Sequence, residues 1–85
     1  MVTELEVIEE MERIAQRELE LSRPIAPHAQ LVRDLGLDSL GMTVLAVALE
    51  DRFRVRLNEA DSEGIVTVED LARLVVRRLG EQERQ

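Results

Sequence analysis

Apolar residues recur every three or four positions in three separate stretches of this chain, and nowhere do they alternate as a strand requires. The stretches are Leu5, Ile8, Met11, Ile14 or Ala15, and Leu19; then Met42, Leu45, Ala46, Leu49 and Phe53; then Val68, Leu71, Ala72, Val75 and Leu79. A period near 3.6 gathers each set on one face of a helix, whereas a half-buried strand needs a period of two. A chain of 85 residues has room for a single core. Three amphipathic helices that can bury their stripes only against one another make a small all-α bundle, with residues 1–85 as one domain.

The boundaries follow from local chemistry. Thr3 followed by Glu6 fits a capping box that opens the first helix, predicted from about Glu4 to about Glu20 and ending before Pro24. Its outer face holds Glu6, Glu9, Glu10, Arg13, Arg17 and Glu20, with Glu9 and Arg13 one turn apart. Ser22 to Leu37 is a long connection, yet Ile25, Leu31, Val32, Leu35 and Leu37 mark it as an ordered loop over the core, with a helical turn near Gln30 to Arg33. Asp38 or Ser39 caps a second helix that ends around Arg54. Glu59 to Glu63 reads as a short acidic helix or turn closed by Gly64, and Thr67 caps a last helix that Gly80 stops. Three long helices and one short one are expected.

Composition removes several function classes. The net charge of −7 opposes binding to nucleic acid, whose phosphates call for a basic surface. With no cysteine there is no thiolate metal site or thiol nucleophile, and the single histidine, His28, reads as a surface loop residue with no second metal ligand at helical spacing. No apolar run approaches the ~20 residues that span a bilayer, and the N-terminus carries acids where a signal peptide carries cations. The expectation is a soluble, cytoplasmic monomer. Phe53 is the only aromatic residue, so the core is aliphatic and pliable.

The chemistry concentrates at Asp38-Ser39-Leu40, preceded by Leu35-Gly36-Leu37. A serine stands here where a glycine-containing loop meets the start of a helix. Helix starts offer unpaired N–H groups and a positive dipole end, which favour phosphate. The serine can be a simple cap, or a covalent attachment point for a phosphate-bearing group. Local sequence leaves both readings open.

This layout resembles the acyl carrier protein family, the phosphopantetheine-bearing carrier domains. The resemblance rests on Leu35-Gly36-Leu37-Asp38-Ser39-Leu40, Ala48-Leu49-Glu50 with Phe53, and Ile65, Thr67-Val68 and Asp70-Leu71, in order and without a gap from about Leu35 to Leu79. It implies a four-helix bundle of acyl-carrier type in which a phosphopantetheinyl transferase attaches 4′-phosphopantetheine from coenzyme A to Ser39. The arm's thiol then carries an acyl group as a thioester among acyl-loading, acyl-transfer or condensing enzymes of fatty-acid, polyketide or other acyl metabolism. By the same resemblance Asp38 helps a partner or its magnesium recognise the serine, and Leu40 meets the partner. Such a domain supplies reach and recognition and is no enzyme. Two rival functions are an aminoacyl, peptidyl or D-alanyl carrier, and an unmodified helical interaction module.

The chain departs from the family along the second helix, where carriers of fatty-acid synthesis typically present several acids to basic partners. Here Gly41, Thr43, Val44 and Val47 occupy the expected docking face, and Glu50 and Asp51 come only at its far end. Leu40, Thr43, Val44, Val47, Glu50 and Asp51 are the candidate partner-binding residues, and the contact they imply is more apolar than usual. Gly41 reads either as drift at an exposed helix site or as room for a partner or the arm to approach that backbone, and its replacement by alanine is expected to stabilise the domain by about 0.5–1 kcal/mol. Gly36-Leu37-Asp38-Ser39-Leu40 has one residue too many for a Gly-Asp-Ser-Leu hydrolase signature, and the chain is too short for that fold.

Overall fold

The computed structural model of the chain describes residues 1–21 and 24–83. It contains three α-helices, α1 (Glu4–Glu18), α2 (Ser39–Phe53) and α3 (Val68–Glu83), with one 3-10 turn at Glu59–Ser62 before α3. That turn stands where a short fourth helix or a turn was expected, so the bundle is built from three α-helices. Ser22 and Arg23, the start of the expected long loop, and Arg84 and Gln85 lie outside the described residues.

The caps form much as the sequence requires. The Glu6 amide donates to Thr3 Oγ1 at 3.2 Å. The Glu6 carboxylate reaches the Thr3 hydroxyl, at 3.4 Å, in place of the Thr3 amide. At α3, Asp70 donates its amide to Thr67 Oγ1 while its carboxylate accepts the Val66 and Thr67 amides, each at 3.0 Å, which is the reciprocal box in full. These backbone bonds hold the Asp70 carboxyl below its ordinary pKa.

α1 packs closely on both α2 and α3, while α2 and α3 are less closely packed on each other. The core is aliphatic throughout: Val7, Met11 and Ile14 of α1 meet Leu45 and Leu49 of α2 and Val68, Ala72 and Val75 of α3. Each such side chain contributes about 1.5–3 kcal/mol when fully buried. The long connection behaves as expected of an ordered segment, with Ile25, Leu31, Leu35 and Leu37 buried. The chain coils into turns over 31–35, where a helical turn was expected. An isolated antiparallel bridge, Gln30 to Thr67, stitches the connection to the start of α3.

Four expectations need correction. Leu5 is 64% exposed, and Val7 takes its place in the core. Leu5 stands over a quarter turn from the centre of the buried stripe. Glu10, placed on the outer face, is 5% exposed; Arg13 pairs with it at 3.0 Å, and not with Glu9, and α2 brings Arg52 to the same carboxylate at 3.5 Å. α1 stops at Glu18. Glu20 adopts a left-handed φ of 57°, and the turn returns the Leu21 amide to the Ala15 carbonyl. Gly80 does not stop α3, which runs on to Glu83. The last turn is anchored from outside the helix, where Gln82 Nε2 donates to the Arg54 carbonyl at 3.0 Å.

Candidate functional site

The approach to α2 is pinned on both sides of Gly36. Leu35 and Leu37 are buried anchors, and Gly36 between them takes φ +70°, a left-handed turn that costs glycine nothing. The Leu37 amide returns to the Leu31 carbonyl at 3.1 Å. The direction in which α2 leaves the loop is therefore set by core packing.

Of the two capping candidates, Asp38 is the N-cap. Its Oδ1 accepts the Gly41 amide at 2.7 Å, and its carbonyl accepts the Met42 amide at 2.9 Å. Ser39 is thereby freed from capping and becomes the first helical residue, exposed. Its carbonyl accepts the Thr43 hydroxyl at 2.9 Å.

The N-terminus of α2 differs from that of α3 in two respects. In α3 the Val68 and Glu69 amides are taken by the Ala29 and Pro27 carbonyls of the long connection, at 2.9 and 2.7 Å. In α2 the corresponding amides, Ser39 and Leu40, meet no acceptor among the described residues. The first turn of α2 carries no acidic side chain, and Asp38 before it is committed to the cap. Two open donors at a helix N-terminus thus lie beside an accessible hydroxyl, a donor set that fits a phosphodiester.

Gly41 is not on the exposed face. It is buried, and a Cβ there would stand 3.3 Å from Asp38 Oδ1 and 3.3 Å from Leu37 Cδ2. The missing side chain lets the cap and the Leu37 anchor close on the first turn.

The predicted partner residues divide. Leu40 is 71% and Val47 56% exposed, and Thr43 and Asp51 are exposed as well. Val44 is half-buried. These five line one side of α2 beginning next to Ser39. Glu50 is half-buried, and its Oε2 accepts the Leu57 amide at 2.8 Å, tying the α2–α3 connection to α2. Periodicity could not reveal this, since its partner lies seven residues on in irregular chain.

Beside α2, open along the exposed Thr43 and Val47, lies a cavity of about 350 Å³ that sequence reasoning did not locate, its other walls Met42, Ala46, Leu57, Ile65, Leu71 and Leu74, with Glu50 among the remaining residues. It follows from the looser packing of α2 on α3. The Glu59–Ser62 turn beside it is held by Asp61, which accepts the Asn58 amide at 2.9 Å and pairs with Arg78 of α3. The Asn58 bond first and the Arg78 guanidinium second keep the Asp61 carboxyl below its usual pKa. His28 is exposed in the long connection. Among the described residues no cluster of three or more His, Cys, Asp or Glu is arranged to hold a metal ion, and no helix is long and apolar enough to cross a membrane.

Comparison with known proteins shows the family. The family model for the phosphopantetheine attachment site matches residues 9–75. An acyl carrier protein of Nitratidesulfovibrio vulgaris is 36% identical over 67 residues, spanning 78% of this chain and 88% of its own length. One from Solidesulfovibrio magneticus is 37% identical over 57 residues, 67% of this chain and 73% of its own. In fold, the chain superposes on the crystal structure of the acyl carrier protein of Thermotoga maritima with a TM-score of 0.81, covering 92% of each chain at 24% identity.

Proposed function

The chain belongs to the acyl carrier protein family of phosphopantetheine-attachment domains, and from that premise we propose that Ser39 is the residue to which its arm is joined. The family role is to carry an acyl group as a thioester on a covalent 4′-phosphopantetheine arm, installed by a phosphopantetheinyl transferase and visited by acyl-handling enzymes. It is a carrier and not a catalyst.

The observation that carries the assignment is the exposed Ser39 hydroxyl beside two unclaimed amides. In the attachment step Ser39 Oγ attacks the β-phosphorus of coenzyme A. A new P–O bond forms, the bond to the departing nucleotide phosphate breaks, and the hydroxyl proton passes to a base of the transferase. The Ser39 and Leu40 amides then offset the charge of the diester. Asp38 holds the first turn open in this geometry through Gly41, and so orients the serine without touching the reacting atoms.

Partner enzymes meet the exposed ridge of Leu40, Thr43, Val44 and Val47, with Asp51 beyond it. Their contact is largely apolar, because the acids that attract basic partners are missing from the first turns of α2. The apolar cavity beside α2 shelters the acyl chain between visits. We take residues 1–85 to act as one monomeric, cytoplasmic domain.

The test is direct. Apo protein is incubated with coenzyme A, magnesium and a broad-range transferase, and intact mass is measured beside Ser39→Ala. The parent should gain one phosphopantetheine and the variant none. No gain in the parent, or a gain that persists in the variant, would overturn the assignment.

A further inference from the structure

The wall of the cavity beside α2 changes character along the helix. Met42, Ala46 and Glu50 line it at four-residue intervals, so they mark depth from the Ser39 end. From Met42 to Glu50 the helix rises about 12 Å, at 1.5 Å per residue. Over the first part of that distance the α2 wall is Met42, Ala46 and Val47, the Thr43 hydroxyl being given to the Ser39 carbonyl, and Leu71 and Leu74 of α3 add aliphatic surface. At the far end stand the Glu50 carboxylate and Asn58. Glu50 cannot swing aside freely, because the Leu57 amide holds its Oε2 at 2.8 Å.

An alkyl chain entering from the Ser39 end gains from each methylene it removes from water. When its tip reaches Glu50, the next methylene must displace water from a carboxylate and offers no donor in return. Desolvating a charge without a replacement hydrogen bond costs more than one methylene gains. We propose that Glu50 is the length stop of this carrier, setting the longest saturated acyl chain that the cavity shelters. Medium-length chains end short of it, and longer ones leave their tails in solvent. The proposal rests on the reading that this cavity shelters the cargo.

The experiment compares acyl forms of the same protein. Hexanoyl, octanoyl, decanoyl, dodecanoyl and hexadecanoyl pantetheine are transferred to the parent from the corresponding acyl-coenzyme A, each product is verified by mass, and Tm is measured against the holo form. The parent should gain about 4 °C or more per two-carbon step while the added methylenes are covered, then level off at a medium chain. Glu50→Gln removes the charge and keeps an acceptor for the Leu57 amide; Glu50→Met removes both. Each is compared with its own holo form, which cancels any loss of baseline stability. In both, the rise should continue for at least one further two-carbon step. A parent series that climbs without a break to hexadecanoyl overturns the proposal, as does the same plateau in parent and both variants. A series flat from hexanoyl onward overturns the sheltering reading together with it. Failure of the transfer itself is a different result, visible as no mass gain, and removes the Ser39 assignment on which both stand.

Discussion

The Glu10 carboxylate of α1, 5% exposed, lies 3.5 Å from the Arg52 guanidinium of α2 and 3.0 Å from that of Arg13. Both arginines are more than half exposed, so neither pair alone is strong. Arg52→Ala should cost about 1 kcal/mol or less, since Arg13 remains. Removing both arginines leaves a buried carboxylate uncompensated and should cost about 2–3 kcal/mol, more than the sum of the single changes. Urea denaturation of the two single variants and the double variant measures the coupling, and strict additivity would mean that Glu10 is hydrated after all.

Gly41→Ala should lower stability by up to about 1 kcal/mol, although helix propensity alone favours alanine by about that amount. The added Cβ would stand 3.3 Å from both Asp38 Oδ1 and Leu37 Cδ2. Leu37 is buried and cannot retreat, and Asp38 can move only by loosening a cap worth about 1 kcal/mol. A rise in the denaturation midpoint of Gly41→Ala would show that the cap tolerates the methyl group.

Gly80→Ala should have the opposite sign. Gly80 lies within α3, and a Cβ there would meet nothing within 4 Å. Only propensity acts, so a gain of about 0.5–1 kcal/mol is expected in the same denaturation assay.

Stability should fall with acid below about pH 4, and Asp70 should be one of the groups responsible. Its folded pKa lies below the ordinary 3.8 because it accepts the Thr67 and Val66 amides. A depressed carboxyl stabilises the fold above its unfolded pKa, and that contribution disappears as pH drops through the folded value. Thermal melts between about pH 6 and pH 2.5 should show a shallower acid decline for Asp70→Asn than for the parent. Equal slopes would remove Asp70 from the acid response.

Much of the fold was legible from residues a few positions apart. Thr3 and Thr67 open their helices as their neighbours predicted, and Met11, Leu49 and Ala72, at the centres of the three stripes, are buried. A cap and a helical face are local objects, decided within one or two turns. The exposed Ser39 at the head of α2 was legible for the same reason.

The misreadings share a different cause. Glu10 reads as a surface acid until Arg52 arrives from α2, and no local pattern shows that Glu50 accepts the Leu57 amide. Gly41 reads as an idle surface glycine until Leu37 closes over it. Gly80 reads as a stop until Gln82 finds the Arg54 carbonyl.

By itself, the sequence determined three helices with apolar stripes, the N-caps of the first and third, an aliphatic core and a serine at the head of the second helix, because each depends on spacing along one segment. Tertiary structure decided which charges are buried, that the first two amides of α2 stay open while those of α3 are covered by the long connection, and that a cavity ending at Glu50 opens beside α2. Those outcomes depend on which distant segment comes to lie within hydrogen-bonding or van der Waals reach, and local spacing carries no record of that.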